Sequence, residues 1–213
     1  MEISKKYQIT GGVYLVIDPS PGSVVLIPKV EAALKGGISV LQIWNHWKPG
    51  QDKSSFIKDL CRLSHAYDVP VLIHEDWSWL MNTPLDGVHF DEIPKGWDYL
   101  TKFIDRPFLK GITCGNDHAR IQWAIDQSLD YISFCSMFPS SSTDVCELVS
   151  PEVVKQTRDK TSIPIFVAGG ITLENISSLV SLGIDGVALI SAIIRADDPE
   201  ATTLRFKATF NKS

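Results

Sequence analysis

The four cysteines of this 213-residue chain, Cys61, Cys114, Cys135 and Cys146, include no C-x-x-C pair. That spacing argues against a zinc ribbon, a redox motif or a disulfide framework, and reads as reduced thiols in a cytoplasmic protein. Five histidines are present, none in an H-E-x-x-H arrangement, so no zinc site is expected. Lysine and arginine form no run and the net charge is −5, which excludes a sequence-independent grip on nucleic acid or on an anionic membrane surface. No apolar stretch approaches the roughly eighteen residues of a membrane span. Met1–Thr10 is polar and charged, without the apolar core of a signal peptide. What is there is 44% hydrophobic, enough to fill one core, and the expectation is a single domain over 1–213 that acts on small molecules. A homodimer is one expected assembly.

Short apolar runs alternate with amphipathic ones. Strands are expected at Val13–Asp18, Ile38–Ile43, Val71–His74, Gly87–Phe90, Leu109–Thr113, Tyr131–Cys135, Ile163–Ala168 and Gly183–Ile190. Helices are expected at Val24–Lys35, Asp52–Tyr67, Trp77–Met81, Asp117–Gln127, Pro151–Thr161, Asn175–Leu182 and Pro199–Phe210, with another opening at Ser191. A weak repeat runs through Gly37-Ile38-Ser39-Val40, Leu85-Asp86-Gly87-Val88, Leu129-Asp130-Tyr131-Ile132 and Ile184-Asp185-Gly186-Val187, at spacings that fit two strand–helix units. Between these lie strands led by Pro70, Pro107 and Pro164, a position where a missing N–H is tolerated. Eight such units call for an α/β fold with a parallel sheet covered by helices, as a single (β/α)8 TIM barrel. An open doubly wound sheet is the competing architecture.

In such a barrel the chemistry sits at the C-terminal strand ends. Those ends carry Asp18; Gln42, Trp44 and His46; His74, Glu75 and Asp76; His89, Asp91 and Glu92; Thr113; Ser136; and the hydroxyl run Ser140–Thr143. The last two strands end at Gly169-Gly170 and Ser191-Ala192. Glycines, a hydroxyl and a helix start brought together there suit a phosphate, which free N–H groups favour. Asp76 with Asp91 and Glu92 offers oxygen ligands from neighbouring strands for Mg²⁺, and a solvated acidic rim reads the same way.

With these residues in place, the chain resembles thiamine-phosphate synthase and its thiazole tautomerase relatives, a family of eight-fold barrels, along nearly its whole length. The likeness rests on Val13–Asp18, Val40-Leu41-Gln42-Ile43, Asp86-Gly87-Val88-His89, Asp130-Tyr131-Ile132, Met137-Phe138-Pro139-Ser140, Ala168-Gly169-Gly170-Ile171 and Gly186–Ile193. It implies an enzyme that expels pyrophosphate from a hydroxymethylpyrimidine diphosphate while a thiazole-phosphate nitrogen captures the cation, with Mg²⁺ and basic side chains holding the leaving group. By position it implies Gln42 as the strand-2 glutamine and Asp76 as the first metal aspartate. Ser140 and Ser142 become the pyrophosphate hydroxyls, and Gly170 and Ser191 the thiazole-phosphate site. Trp44 and His46 stand where the family has arginine and lysine, Glu75 where it has asparagine, Pro94 where it has a second aspartate, Thr113 where it has serine and Thr143 where it has lysine.

The expected activity is therefore a thiamine-phosphate synthase-like transfer. Gln42, His46, Glu75 and Thr113 are the catalytic candidates, Asp76 and Asp91 the metal ligands, and Ser140, Ser142, Gly169, Gly170, Ser191 and Ala192 the phosphate contacts. Two alternatives remain open. One is a tautomerase-like isomerase using His46, His74, Glu75 or His118 as general acid or base. The other is an inactive barrel that binds a phosphorylated metabolite.

Overall fold

A computed structural model describes residues 7–139 and 147–210. The eight apolar runs are eight parallel strands: β1 Gly12–Ile17, β2 Val40–Ile43, β3 Val71–His74, β4 Gly87–Phe90, β5 Leu109–Thr113, β6 Tyr131–Cys135, β7 Ile165–Ala168 and β8 Gly186–Leu189. Each pairs with the next and β8 pairs with β1, so the sheet closes. This is the (β/α)8 barrel, not the open sheet. Outside lie α1 Ser23–Lys35, α2 Lys53–His65, α3 Trp97–Phe103, α4 His118–Asp126, α5 Pro151–Lys160, α6 Ser177–Val180, α7 Ser191–Ile194 and α8 Pro199–Phe210, with a 3₁₀ turn at Trp77–Met81 after β3.

β2, β7 and β8 begin later than the apolar pattern suggests. Ile38 and Ile163 precede their ladders, in the stretch that leads the chain in from the outer layer. The short helix α3 was not among the expected elements; it opens just after Gly96, which is left-handed. Trp97, Leu100 and Phe103 share a face, and Leu100 is buried.

The sequence repeat has a physical cause. Proline leads β3 and β7 without an N–H, so the next N–H needs an acceptor at the barrel floor. Asp86 Oδ2 accepts from the Val71 N–H at 2.8 Å, and Asp185 Oδ2 from the Ile165 N–H at 2.8 Å. Asp130 Oδ2 does the same for the Lys110 N–H at 2.8 Å. An aspartate before β4, β6 and β8 therefore ties down the start of the odd strand before it, and before β2 Ser39 Oγ instead donates to the Val13 carbonyl of β1 at 3.1 Å. Two of these carboxylates are further held by the outer layer, Asp86 by His65 Nε2 and Asp185 by Arg158 Nη1, each at 2.8 Å.

Strand side chains alternate between two cores. One, including Val13, Leu15, Leu41, Val71, Ile73, Ile132 and Val167, packs between sheet and helices. The other fills the barrel with Tyr14, Val40, Leu72, Leu109, Tyr131 and Phe166. Room for the rings comes from glycine: a Cβ on Gly111 would lie 2.0 Å from Tyr131 Cζ, and one on Gly186 would lie 2.4 Å from Phe166 Cε1. Cys61 and Cys114 are buried free thiols, each pushed up to about 12 by burial.

Candidate active site

A cavity of about 720 Å³ opens at the C-terminal strand ends. It brings together Gln42, Trp44, His74, His89, Asp91, Thr113, Gly169, Gly170, Ser191 and Ala192 of the residues expected at strand ends, and adds Tyr14 and Arg195. His46, Glu75 and Asp76 do not line it. His46 stacks on Trp44 with ring centroids 3.6 Å apart, and its Nδ1 lies 3.9 Å from Asp18 Oδ2 at the rim. Ser140 and Ser142 lie outside the described residues.

Beneath the cavity, polar side chains interrupt otherwise apolar strands and satisfy one another. The Tyr14 hydroxyl donates to Gln42 Oε1 at 2.6 Å and lies 2.8 Å from the Tyr131 hydroxyl. That hydroxyl is 2.7 Å from His89 Nδ1, and His89 Nε2 is 2.8 Å from Thr113 Oγ1. Burial raises both tyrosines well above their ordinary range and lowers His89 from 6.5 to about 4.

A neutral buried histidine makes stability pH-dependent. The unfolded chain binds a proton at His89 that the folded chain refuses, so stability is intact above about pH 6.5 and is lost progressively as pH falls from there to about 4. The loss should be on the order of 3 kcal/mol. His89→Gln should flatten the urea-midpoint curve across that interval. An equal slope in variant and wild type would refute the assignment.

At the ends of β3 and β4, His74 Nε2 is 2.9 Å from Asp91 Oδ2. An ionised carboxylate only accepts, so Nε2 carries the proton. Nδ1 is left buried without a partner among the described residues. Burial opposes the Asp91 charge, but the His74 imidazole hydrogen-bonded to it outweighs that and holds the carboxyl below its ordinary value. Arg120 on α4 ties the ends of β4 and β5 together by donating to the Asp91 and Thr113 carbonyls.

Glu75 adopts a left-handed φ of 63°, which turns its carboxylate toward β4, where Oε1 accepts from the Asp91 N–H at 2.6 Å. His74, Glu75 and Asp91 each offer a ligand atom within 4.8 Å of the others. Asp76 faces elsewhere: its carboxylate accepts from Ser78 Oγ at 2.5 Å and from the Trp79 indole N–H at 3.0 Å. The geometry thus groups Glu75, rather than Asp76, with Asp91.

At the opposite end, Gly169 and Gly170 have φ of 90° and 63°, left-handed conformations that glycine adopts without strain. Among the described residues, the N–H groups of Gly169, Gly170 and Ala192 donate to no protein acceptor. Gly170 is tighter than an anion-lined turn needs to be, since a Cβ there would lie 2.5 Å from the Pro139 carbonyl oxygen and 2.8 Å from Phe138 Cβ. A larger residue at 170 would push the Phe138-Pro139 turn before it filled the cavity. Tyr14, Tyr131 and Arg195 were not among the expected site residues. The signal for the tyrosines was a phenol in an apolar strand run, and for Arg195 a lone cation one turn past β8.

Comparison with known proteins agrees with this architecture. A family model described as thiamine monophosphate synthase matches residues 13–193. Thiamine-phosphate synthase of Janthinobacterium sp. is 29% identical over 204 residues, covering 94% of this chain and 97% of that protein. Its counterpart in Aromatoleum aromaticum is 25% identical over 200 residues, covering 94% and 96%. Among solved structures, the thiamine phosphate pyrophosphorylase of Pyrococcus furiosus superposes with a TM-score of 0.80 at 21% identity, covering 94% of this chain and 96% of that one. That likeness is one of fold. With a family model spanning most of the chain and relatives aligned almost end to end, the protein belongs to the thiamine monophosphate synthase family.

Proposed function

We propose that this chain is a cytoplasmic transferase that joins a hydroxymethylpyrimidine diphosphate to a thiazole phosphate. The bond from the pyrimidine methylene carbon to the diphosphate oxygen breaks, pyrophosphate leaves with the electron pair, and the thiazole nitrogen lone pair forms the new C–N bond. The observation that carries this reading is the set of undonated N–H groups of Gly169, Gly170 and Ala192 at one end of the cavity, facing a carboxylate-bearing end across it. The first end suits the thiazole phosphate. Trp44, held face-on by His46, offers a flat apolar surface to a heterocycle, and Gln42 offers its amide beside it.

Glu75 and Asp91 would hold Mg²⁺. The fit is reasonable for this donor set: two carboxylates, one of them oriented by His74, leave room for water and phosphate oxygens. Bound there, Mg²⁺ would neutralise charge on the departing pyrophosphate. The protein's own contribution is to fix the reactants in line, exclude water and hold Asp91 ionised.

A second reading, binding or isomerisation of a phosphorylated heterocycle, is favoured by one observation. Among the described residues lining the cavity, Arg195 is the only lysine or arginine, and it lies at the β8 end. Incubation of the protein with the pyrimidine diphosphate, thiazole phosphate and Mg²⁺ separates the two. Thiamine phosphate should form, and Trp44→Arg with His46→Lys should raise the rate about tenfold or more by adding charged donors. Thiazole phosphate binding without turnover, in both wild type and double variant, would favour the second reading.

A further inference from the structure

We propose that Arg195 is the phosphate-specificity residue of this cavity, supplying the full positive charge that the backbone at the β7 and β8 ends does not. This rests on the anion reading above and names the group that would enforce it: a phosphate monoester dianion, in preference to the corresponding alcohol.

Charge is the first argument. A phosphate monoester carries close to two negative charges at neutral pH, whereas backbone N–H groups carry only partial positive charge. The helix at this end, α7, is a single turn, so its dipole adds little. A cation is needed, and Arg195 is the one that lines the cavity among the described residues.

Position is the second. Arg195 follows Ser191 by four residues, and its N–H donates to the Ser191 carbonyl at 3.0 Å, closing that turn. Residues so spaced share a helix face, which sets the guanidinium on the same side as the Ser191 hydroxyl. The turn is itself anchored, because Lys29 on α1 donates to the Ile194 carbonyl at 2.5 Å.

Availability is the third. Arg195 is exposed, and its side chain makes no hydrogen bond or ion pair with the described residues, although two aspartates follow it. Asp198 is engaged with the first turn of α8, accepting from the Ala201 N–H at 2.9 Å. A guanidinium with five donors therefore stands uncommitted beside an anion-shaped turn.

The test is calorimetric titration of wild type, Arg195→Gln and Arg195→Lys with thiazole phosphate, its dephosphorylated alcohol and ethyl phosphate. Arg195→Gln should weaken both phosphates about 10–100-fold and leave the alcohol unchanged. Arg195→Lys should recover part of the loss, and the salt dependence of phosphate binding should fall in the glutamine variant. If wild type binds thiazole phosphate and Arg195→Gln binds it equally well, the role of Arg195 is overturned while the functional reading stands. Arginine-dependent binding of ethyl phosphate without binding of thiazole phosphate would uphold Arg195 and overturn the thiazole reading. Failure of wild type to bind either phosphate would overturn both. Because Arg195 is exposed and unpaired, the thermal melts of all three proteins should coincide, and a shifted melt would itself contradict the assignment.

Discussion

Gly111→Ala should lower the melting temperature by roughly 6–12 °C, from a loss of about 3 kcal/mol. The cause is steric: the new Cβ would meet Tyr131 Cζ at 2.0 Å, inside a ring held by Tyr14, Phe166 and His89 on its other sides. The ring cannot swing aside without breaking the hydroxyl contacts to Tyr14 and His89. Pairing Gly111→Ala with Tyr131→Leu should therefore cost less than the sum of the two single changes, by about 1 kcal/mol or more. Thermal unfolding followed by circular dichroism decides it. A melt for Gly111→Ala within about 2 °C of wild type would mean that the strand relaxes more easily than its closed pairing implies.

Asp91→Asn and Glu75→Gln should each weaken Mg²⁺-dependent binding of the pyrimidine diphosphate by at least about 100-fold, because even residues one step removed from a metal cost 10–100-fold when changed. Asp76→Asn should leave that binding nearly unchanged. The contrast follows from orientation: Glu75 turns toward Asp91, while Asp76 is committed to Ser78 and Trp79. Loss confined to Asp76→Asn, with Glu75→Gln and Asp91→Asn unaffected, would restore the aspartate that position in the sequence favoured. Manganese relaxation measurements provide a readout independent of turnover.

The difference between those two acids shows where reading the chain stops. Which strands exist and in what order was legible, because proline-led apolar runs, floor aspartates and an alternation of periods all point to one topology. The direction of Glu75 was not, because it depends on a left-handed residue just beyond β3 that no pattern of side-chain types announces. The helix α3 escaped for a related reason, being short and opening just after the left-handed Gly96. Gly169 and Gly170 were legible as a backbone turn at the end of β7, but not how tightly Phe138 and Pro139 close on it. Gln42, His89, Tyr14 and Tyr131 each look anomalous in an apolar run, and only the closed register brings them into contact.

That contact means the polar layer beneath the cavity can be read as a sentence with a fixed word order. With the Tyr14 proton given to Gln42, the Tyr131 proton goes to Tyr14, and Tyr131 must then accept from His89 Nδ1. His89 Nε2 is left with a lone pair, so the single Thr113 hydroxyl proton is drawn to it. Turning the Gln42 amide over reverses every step and releases the Thr113 proton toward Asp91. A substrate that chooses one face of an amide on β2 thereby rewrites the donor pattern on β4 and β5, across the full width of the barrel.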